Sequence, residues 1–380
     1  MTSMHTDDLK IALVHEWLVS MRGGEKVFEV FCEMFPQADV FTLVHNRGEV
    51  SKIIEDHPIK TSFVNRLPWK KSRYNYYLPL FPAAIEKFDL TGYDLIISSS
   101  HCVAKGIIPS PHALHISYIH TPMRYVWDMY QEYFGKDKIG SVQRKVIPFI
   151  ANYLRTWDVA SSNRADFFIA NSRHVAKRIW RFYRRQADVI YPPVDTHLYP
   201  LSLKNDGYFL ITSALVPYKK IDLAVEVFNE LKEPLLIIGE GPEKSRLEEM
   251  AKENIRFLGW VPTNELKSYF ANCRALIFPG EEDFGIVPVE AQSCGKPVIA
   301  YKKGGALETI IGDQQSASGK ITGIFFPEQS TESMLQAMLQ FDSIKWDHEF
   351  IHQRAQEFSR PRFFQEIKNY IDQKVQAHFA

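Results

Sequence analysis

Apolar positions in the second half of the chain come in short blocks, each followed by a glycine-containing turn and then by a segment of helical period. Tyr208–Val216 is β-rich, and Asp222–Leu231 follows with Leu223, Val227, Phe228 and Leu231 on one face. Leu235–Ile238 is a continuous apolar run closed by Gly239, the pattern of a parallel strand buried on both sides. Pro242–Ala251 reads as a charged helix, Ile255–Leu258 as a strand ending at Gly259, and Thr263–Cys273 as a helix capped at Thr263 or Pro262. Ala275–Phe278 and Pro297–Ala300 are strands, and Val287–Cys294 and Ala306–Ile311 are helices. This succession predicts a doubly wound parallel sheet.

The first half repeats the rhythm less regularly. Lys10–Val14 is a strand, Gly23-Gly24 a turn, and Glu25–Phe35 a helix with Val27, Phe28, Val30, Phe31 and Met34 facing inward. Leu95–Ser98, Leu114–Ile119 and Phe167–Ala170 are strands, with helices over Ile139–Ala160 and His174–Arg184. In Tyr191-Pro192-Pro193-Val194-Asp195 two prolines end a strand and open a linker. The pattern therefore predicts an α/β chain of two Rossmann-like domains, 1–195 and 196–360. A C-terminal helix over 361–380 follows the second sheet and can pack on either domain.

Composition agrees with two soluble domains. The chain has 380 residues, 45% apolar and 24% charged, the balance of a folded protein. Lys+Arg and Asp+Glu are both 45, yet residues 1–200 carry 25 basic and 20 acidic side chains, so the two halves differ in sign. Neither half has the basic excess that nucleic acid requires. Cys32, Cys102, Cys273 and Cys294 show no CxxC spacing, which fits a reducing cytosol. Met1–Lys10 is polar and leads straight into a strand without a signal-peptide core. No run approaches the roughly 18 apolar residues of a membrane span. These features predict a cytoplasmic protein, soluble or peripheral to a membrane.

The stretch richest in chemistry is Pro279–Ala291, where a parallel strand ends and a helix begins, the place where such sheets bind ligands. Gly285 lets backbone approach a ligand, and the amides of Gly285, Ile286 and Val287 open the helix as a phosphate site. Pro288 in the first turn loses no hydrogen bond. Glu290, one turn in, is placed to accept from vicinal hydroxyls such as a ribose, and Glu282 approaches from the preceding loop. Acidic residues before a helix also complement its dipole, by about 0.3–1 kcal/mol each, and that accounts for Glu281 and Asp283. It does not account for two acids separated by Phe284-Gly285.

Glu282 and Glu290 stand in a Glu-x7-Glu spacing around Phe284-Gly285, which resembles the signature of the retaining glycosyltransferases of family 4. Gly23-Gly24-Glu25, Asn171-Ser172, Pro192–Asp195, Ser213–Lys220, Ile238–Pro242, Phe257–Gly259 and Gly304–Glu308 fall in that family's order, so the resemblance covers nearly the whole chain. Within the family it looks most like the bacterial WbaZ-type mannosyltransferases of surface-polysaccharide assembly. The resemblance implies a GT-B fold, two Rossmann-like domains facing across a cleft, with a nucleotide-sugar donor held mainly by the second. It implies that Lys219 contacts the donor diphosphate, Glu282 the hydroxyls of the transferred sugar and Glu290 the ribose. Gly285, Ile286 and Val287 supply phosphate amides, Gly23 and Gly24 bring further amides to the diphosphate, and Gly259 lies beside the nucleobase. Many members carry an arginine where this chain has Ala214, leaving Lys220 or Arg124 to compensate.

Leaving-group charge on a diphosphate needs stabilisation, which a lysine and helix-start amides provide. No DxD pair occurs in the chain, so the reading is a metal-independent enzyme with the nucleotide-sugar as substrate and no cofactor. Of the 13 histidines, His120 ends a strand beside a proline turn, and in the family a histidine there contacts the donor sugar. His101, after Ser98-Ser99-Ser100, is an acceptor-side candidate together with Arg124. Alternation puts His115 and His120 on opposite faces of one strand, against a metal site with His112. Gly239-Glu240-Gly241 lacks the third glycine of a dinucleotide fingerprint, since Lys244 takes that place. Glu308 is either a capping acid or a ligand contact.

Two basic-aromatic stretches, Trp69–Tyr77 and Lys177–Arg185, stand out. The second reads better as a solvated helix face. The first suits an anionic membrane surface, at about 1 kcal/mol per basic residue, with rings at the interface. The expectation is thus a retaining hexosyltransferase, moving mannose from GDP-mannose onto a lipid-linked oligosaccharide, cytoplasmic and peripheral on the inner face of the plasma membrane. A UDP-sugar-dependent enzyme of the same family and a non-catalytic nucleotide- or saccharide-binding subunit are the alternatives.

Overall fold

The computed structural model describes residues 6–135, 140–312 and 319–380. The start of the predicted Ile139–Ala160 helix and the first residues of the polar N-terminus lie outside them. The chain divides into two units, Met1–Pro192 with Phe363–Ala380, and Pro193–Arg362. The division falls between the two prolines, three residues before the expected boundary at Asp195.

Among the described residues the first unit holds seven strands: β1 (Ile11–Leu18), β2 (Asp39–His45), β3 (Ile59–Thr61), β4 (Leu95–Ser100), β5 (Leu114–Ile119), β6 (Phe167–Ala170) and β7 (Asp188–Val189). They form one sheet in the order β3-β2-β1-β4-β5-β6-β7, with every pairing parallel. Chain direction across the sheet reverses between β1 and β4, where His15 pairs in register with Ser99. Strand β1 is longer than expected and carries a polar pair, His15-Glu16, at its buried C-terminal end. The helix Gly23–Met34 takes both glycines into its first turn, so Gly23-Gly24 is helix start and not a separate turn. Glu25 fixes that start by accepting the Arg22 backbone N–H at 3.0 Å.

The second unit holds β8 (Phe209–Thr212), β9 (Leu235–Ile238), β10 (Ile255–Gly259), β11 (Leu276–Phe278), β12 (Val298–Tyr301) and β13 (Gly323–Phe326). Their order is β10-β9-β8-β11-β12-β13, again all parallel, with the reversal between β8 and β11. The Gly-x-Gly after β9 has a packing role: a Cβ on Gly239 would lie 1.8 Å from the Ser213 carbonyl oxygen, and one on Gly241 2.2 Å from that of Leu215.

The C-terminal helix Arg360–Phe379 belongs to the first unit from Phe363 onward. Its Phe363, Ile367, Ile371 and Val375 join the core formed by β1, β4, β5 and the helix Gly23–Met34. Among the described residues no helix is long and apolar enough to cross a membrane.

Candidate active site

Both reversal points place polar side chains at the C-terminal ends of parallel strands, where opposite connections leave a crevice. In the second unit the crevice between β8 and β11 is lined by Thr212, Ser213, Lys219, Pro279, Gly280 and Glu282. Lys219 ends a short 3-10 turn, Pro217–Lys219, and its ammonium donates to the Glu282 carboxylate. Gly280 lets the two segments meet: a Cβ there would lie 3.0 Å from Lys219 Cα.

Gly285 takes φ +91°, a left-handed conformation that disfavours any side chain, and caps the helix Ile286–Ser293. The amides of Ile286 and Val287 thereby open the helix with no side-chain cap on them. The Glu282–Phe284 loop is braced from behind by Gly304-Gly305. The Gly305 N–H donates to the Glu282 carbonyl at 2.8 Å, and a Cβ on Gly305 would collide with Phe284 Cα at 2.3 Å. Glu290 is buried one turn along the same helix, against the Tyr199 hydroxyl. Burial pushes that hydroxyl's pKa up, and the charge of Glu290 adds to it. Lys220 follows Lys219 in a left-handed turn that starts the helix Ile221–Leu231. Gly259 closes β10 with φ +68°, its Cα facing the Glu240 carboxylate, which pairs with Lys244 at 3.0 Å. Ala214 lies exposed just beyond β8. Glu308 sits in the turn of helix after Gly305, and its carbonyl accepts from Arg354.

The first unit's crevice holds a cluster that the sequence reading captured only in part. His101 and His120 are there, at the ends of β4 and β5, but so are His15 and Glu16 from β1 and Glu25 from the helix start. Glu16 is fully buried, and its Oε1 accepts from Ser100 Oγ (2.8 Å) and from the amides of His101 (2.9 Å), Cys102 (2.8 Å) and Ala104 (3.1 Å). Its Oε2 lies 3.2 Å from His101 Nδ1. His15 Nδ1 donates to the Ser99 carbonyl at 3.1 Å, while its buried Nε2 has no hydrogen-bond partner among the described residues and lies 3.7 Å from Glu25 Oε1. His120 Nε2 is hydrogen-bonded to Ser99 Oγ at 2.8 Å. Gly24 borders the same space, since a Cβ there would touch His15 at 3.6 Å and His120 at 3.7 Å.

The two candidate histidines have opposite charge tendencies. Burial, with His101 and His15 nearby, pushes His120 down to about 3, so it is neutral at pH 7. Burial would also lower His101, but the Glu16 carboxylate overrides it and raises the pKa. Burial alone would raise Glu16; the charge and hydrogen bond of His101, then His15 and the Cys102 amide, hold it far below the usual carboxylate range. His115 lies apart, buried and bonded to Ser98 Oγ at 2.8 Å and to the Arg164 carbonyl at 3.2 Å. Arg124 points its guanidinium toward Met129 Sδ at 3.8 Å. Among the described residues no group of three or more His, Cys, Asp or Glu side chains is arranged to hold a metal.

The structure thus gathers Gly24, His101 and His120 in one unit, and Lys219, Glu282, Gly285, Ile286 and Val287 in the other. The signal that could have found Glu16 is the polar pair His15-Glu16 directly after the apolar run Ile11–Val14.

Known proteins resemble this chain in sequence and in fold. Residues 21–198 match the family described as Glycosyltransferase Family 4, and residues 200–357 that described as Glycosyl transferases group 1. An uncharacterized glycosyltransferase of Methanocaldococcus jannaschii is 29% identical over 159 residues, 40% of this chain and 44% of that one. The O-antigen chain mannosyltransferase C of Escherichia coli is 26% identical over 166 residues, 42% of each. The aligned stretches thus span less than half the length of these curated relatives. Solved structures align over nearly the whole chain. Sucrose-phosphate synthase from Thermosynechococcus elongatus has a TM-score of 0.72 at 17% identity, covering 97% of this chain and 100% of that one. Anabaena HepE in complex with UDP has a TM-score of 0.66, also at 17% identity, covering 97% and 100%. With the two domain families in succession and the fold of GT-B enzymes, this chain belongs to the family 4 glycosyltransferases.

Proposed function

We propose that the chain is a retaining hexosyltransferase that moves mannose from GDP-mannose onto a lipid-linked oligosaccharide. The observation that carries the reading is Lys219 against Glu282 at the β8/β11 reversal, beside a helix opened by Gly285. Lys219 and the Ile286 and Val287 amides stabilise the charge that grows on the departing diphosphate. That diphosphate's oxygen takes the proton of the incoming hydroxyl on the same face of the sugar. Glu282 binds sugar hydroxyls and Glu290 the ribose. Charge stabilisation is supplied by the protein without a metal.

Mannose is favoured by the relatives. Besides the O-antigen enzyme, a GDP-mannose-dependent phosphatidylinositol monomannoside mannosyltransferase of Mycolicibacterium smegmatis is 33% identical over 117 residues, 26% of this chain and 31% of that one. A UDP-sugar donor is the second reading, because HepE was crystallised with UDP and with UDP-glucose.

A membrane-borne acceptor is supported by two surfaces of the first unit. In Trp69–Tyr77 the rings of Trp69 and Tyr76 are 71% and 73% exposed beside exposed Lys71 and Arg73. The helix Ser141–Ser161 exposes Val146, Phe149 and Tyr153 next to Arg144 and Lys145, and its one acidic residue, Asp158, is buried. In contrast, Arg178 and Arg185 of the other basic stretch turn inward to Asp128 and to the carbonyls of Ser162 and Ala165.

Nucleotide release from a panel of GDP- and UDP-sugars, in EDTA, with and without a lipid-linked acceptor extract, tests the reading. We expect acceptor-dependent release from GDP-mannose, reduced about 100-fold or more in Lys219→Ala and Glu282→Ala. Release only from a UDP-sugar selects the second reading. Tight nucleotide binding without release from any donor defeats both.

A further inference from the structure

Glu16 is a charge sealed into the first unit with an unusual number of donors on one oxygen. Four converge on Oε1, three of them backbone amides of the segment that follows β4. A carboxylate so solvated by amides stays ionised. Its second oxygen makes no hydrogen bond of good geometry among the described residues, but lies 3.2 Å from His101 Nδ1, within ion-pairing distance of a protonated imidazole. Trp17 pins the same imidazole edge-on with ring centroids 4.5 Å apart. The position and tilt of His101 are thus fixed on two sides.

The groups that bear on His101 come from every neighbouring element. Glu16 and His15 lie on β1, Arg22 and Glu25 at the start of the helix Gly23–Met34, and His120 beyond β5. Arg22 opposes a charge on His101, and Glu25 supports it. Glu25 is drawn toward His15 and the Arg22 amide, so Glu16 is the direct partner. The side chain of His101 is 27% exposed, and its Nε2 makes no hydrogen bond within the described residues.

We infer that Glu16 is a positioning residue that holds His101 as a fixed cationic donor, Nε2–H outward, for a phosphate group of the substrates. This rests on the transferase reading, in which two substrates bring phosphate: the nucleotide-sugar and the lipid-linked acceptor. A neutral histidine in the same place would offer a lone pair instead, which a phosphate repels. His120, neutral and bonded to Ser99, cannot substitute for it.

The test follows the His101 imidazole in the whole chain by NMR, using His101→Gln to assign the resonance, and compares wild type with Glu16→Gln. In the wild type the imidazolium signal should persist at pH 7. In Glu16→Gln it should titrate at least about one unit lower, a tenfold change in proton affinity. Titration with GDP, UDP and an acceptor extract then locates the phosphate. A roughly tenfold loss of nucleoside diphosphate affinity in both variants assigns it to the donor. Unchanged nucleotide affinity with an acceptor KM raised about tenfold, kcat being nearly kept, assigns it to the acceptor. A wild-type His101 that is neutral at pH 7, or both affinities unchanged in His101→Gln, overturns the inference even in an active transferase. An imidazolium that behaves as expected in a chain releasing no nucleotide overturns the transferase reading instead. Should Glu16→Gln fail to fold, the partly exposed His101→Gln carries both binding arms.

Discussion

Tyr199 and Glu290 show how one side chain's usefulness depends on another. Glu290 is buried, yet its proposed task is to accept hydrogen bonds from a ribose, so its orientation must be fixed before the ligand arrives. The Tyr199 hydroxyl supplies that constraint, and Tyr199 is itself packed edge-on against Phe270 at 5.5 Å. Tyr199→Phe keeps the ring and removes one hydrogen bond to a charged group, worth about 1.5–3 kcal/mol. We expect donor KM to rise about tenfold with kcat within a factor of two, read in steady-state kinetics. An equal fall in kcat would mean that Glu290 acts on the transition state rather than on the ribose. At this scale the sequence was legible where partners are neighbours in the chain. Glu282, Gly285 and Glu290 announce themselves within nine residues. Glu16 does not, because the groups that make it a hub are 84 to 88 residues away and three of them are backbone.

Elements are legible in the sequence where an apolar run or a helical period has room to develop, and ambiguous where tertiary packing decides. The helix Arg360–Phe379 repeats Phe363, Ile367, Ile371 and Val375 along one face, which marks it as half-buried but says nothing of which sheet it covers. The answer lies in shape: Phe363 meets Phe31 and Tyr118 edge-on at 6.2 and 5.8 Å. The chain thus returns to its first unit after completing its second. Truncating buried aliphatic side chains there costs about 2–5 kcal/mol each. In the double variant Ile367→Ala/Ile371→Ala, hydrogen exchange should accelerate first in β1, β4 and β5, with β8, β9 and β11 keeping their protection. Uniform loss across both sheets would show that the helix supports the chain as a whole. Asp39–His45 and Gly323–Phe326 carry apolar β-favouring runs of their own after a first residue of low strand preference, and pairing with β1 and β12 sets their limits.

For the whole molecule, buried neutral histidines set the acid limit of folding. His115 is fully buried between Ser98 and the Arg164 carbonyl, and burial pushes its pKa down to about 4; His120 is pushed down to about 3. In the unfolded chain both protonate near pH 6.5. As pH falls below that value the unfolded state takes up protons that the native state refuses, so stability drops until the folded pKa is reached. For His115 alone the loss between pH 6.5 and 4 is on the order of 3 kcal/mol. His101 runs the other way. Its raised pKa adds stability that is full below pH 6.5 and fades as pH rises through the folded value. The protein should therefore be most stable near neutral pH, falling on the acid side well before ordinary carboxylates titrate. Urea unfolding at pH 7.0 and 5.0 measures this through the midpoint. The wild type should lose just under about 2 kcal/mol from His115 over that interval, and His115→Gln, though less stable at pH 7, should lose correspondingly less. Parallel pH profiles for the two proteins would show that His115 accepts its proton without unfolding the chain, and the acid limit would then pass to His120, whose neighbours are the charged groups of the first unit's crevice.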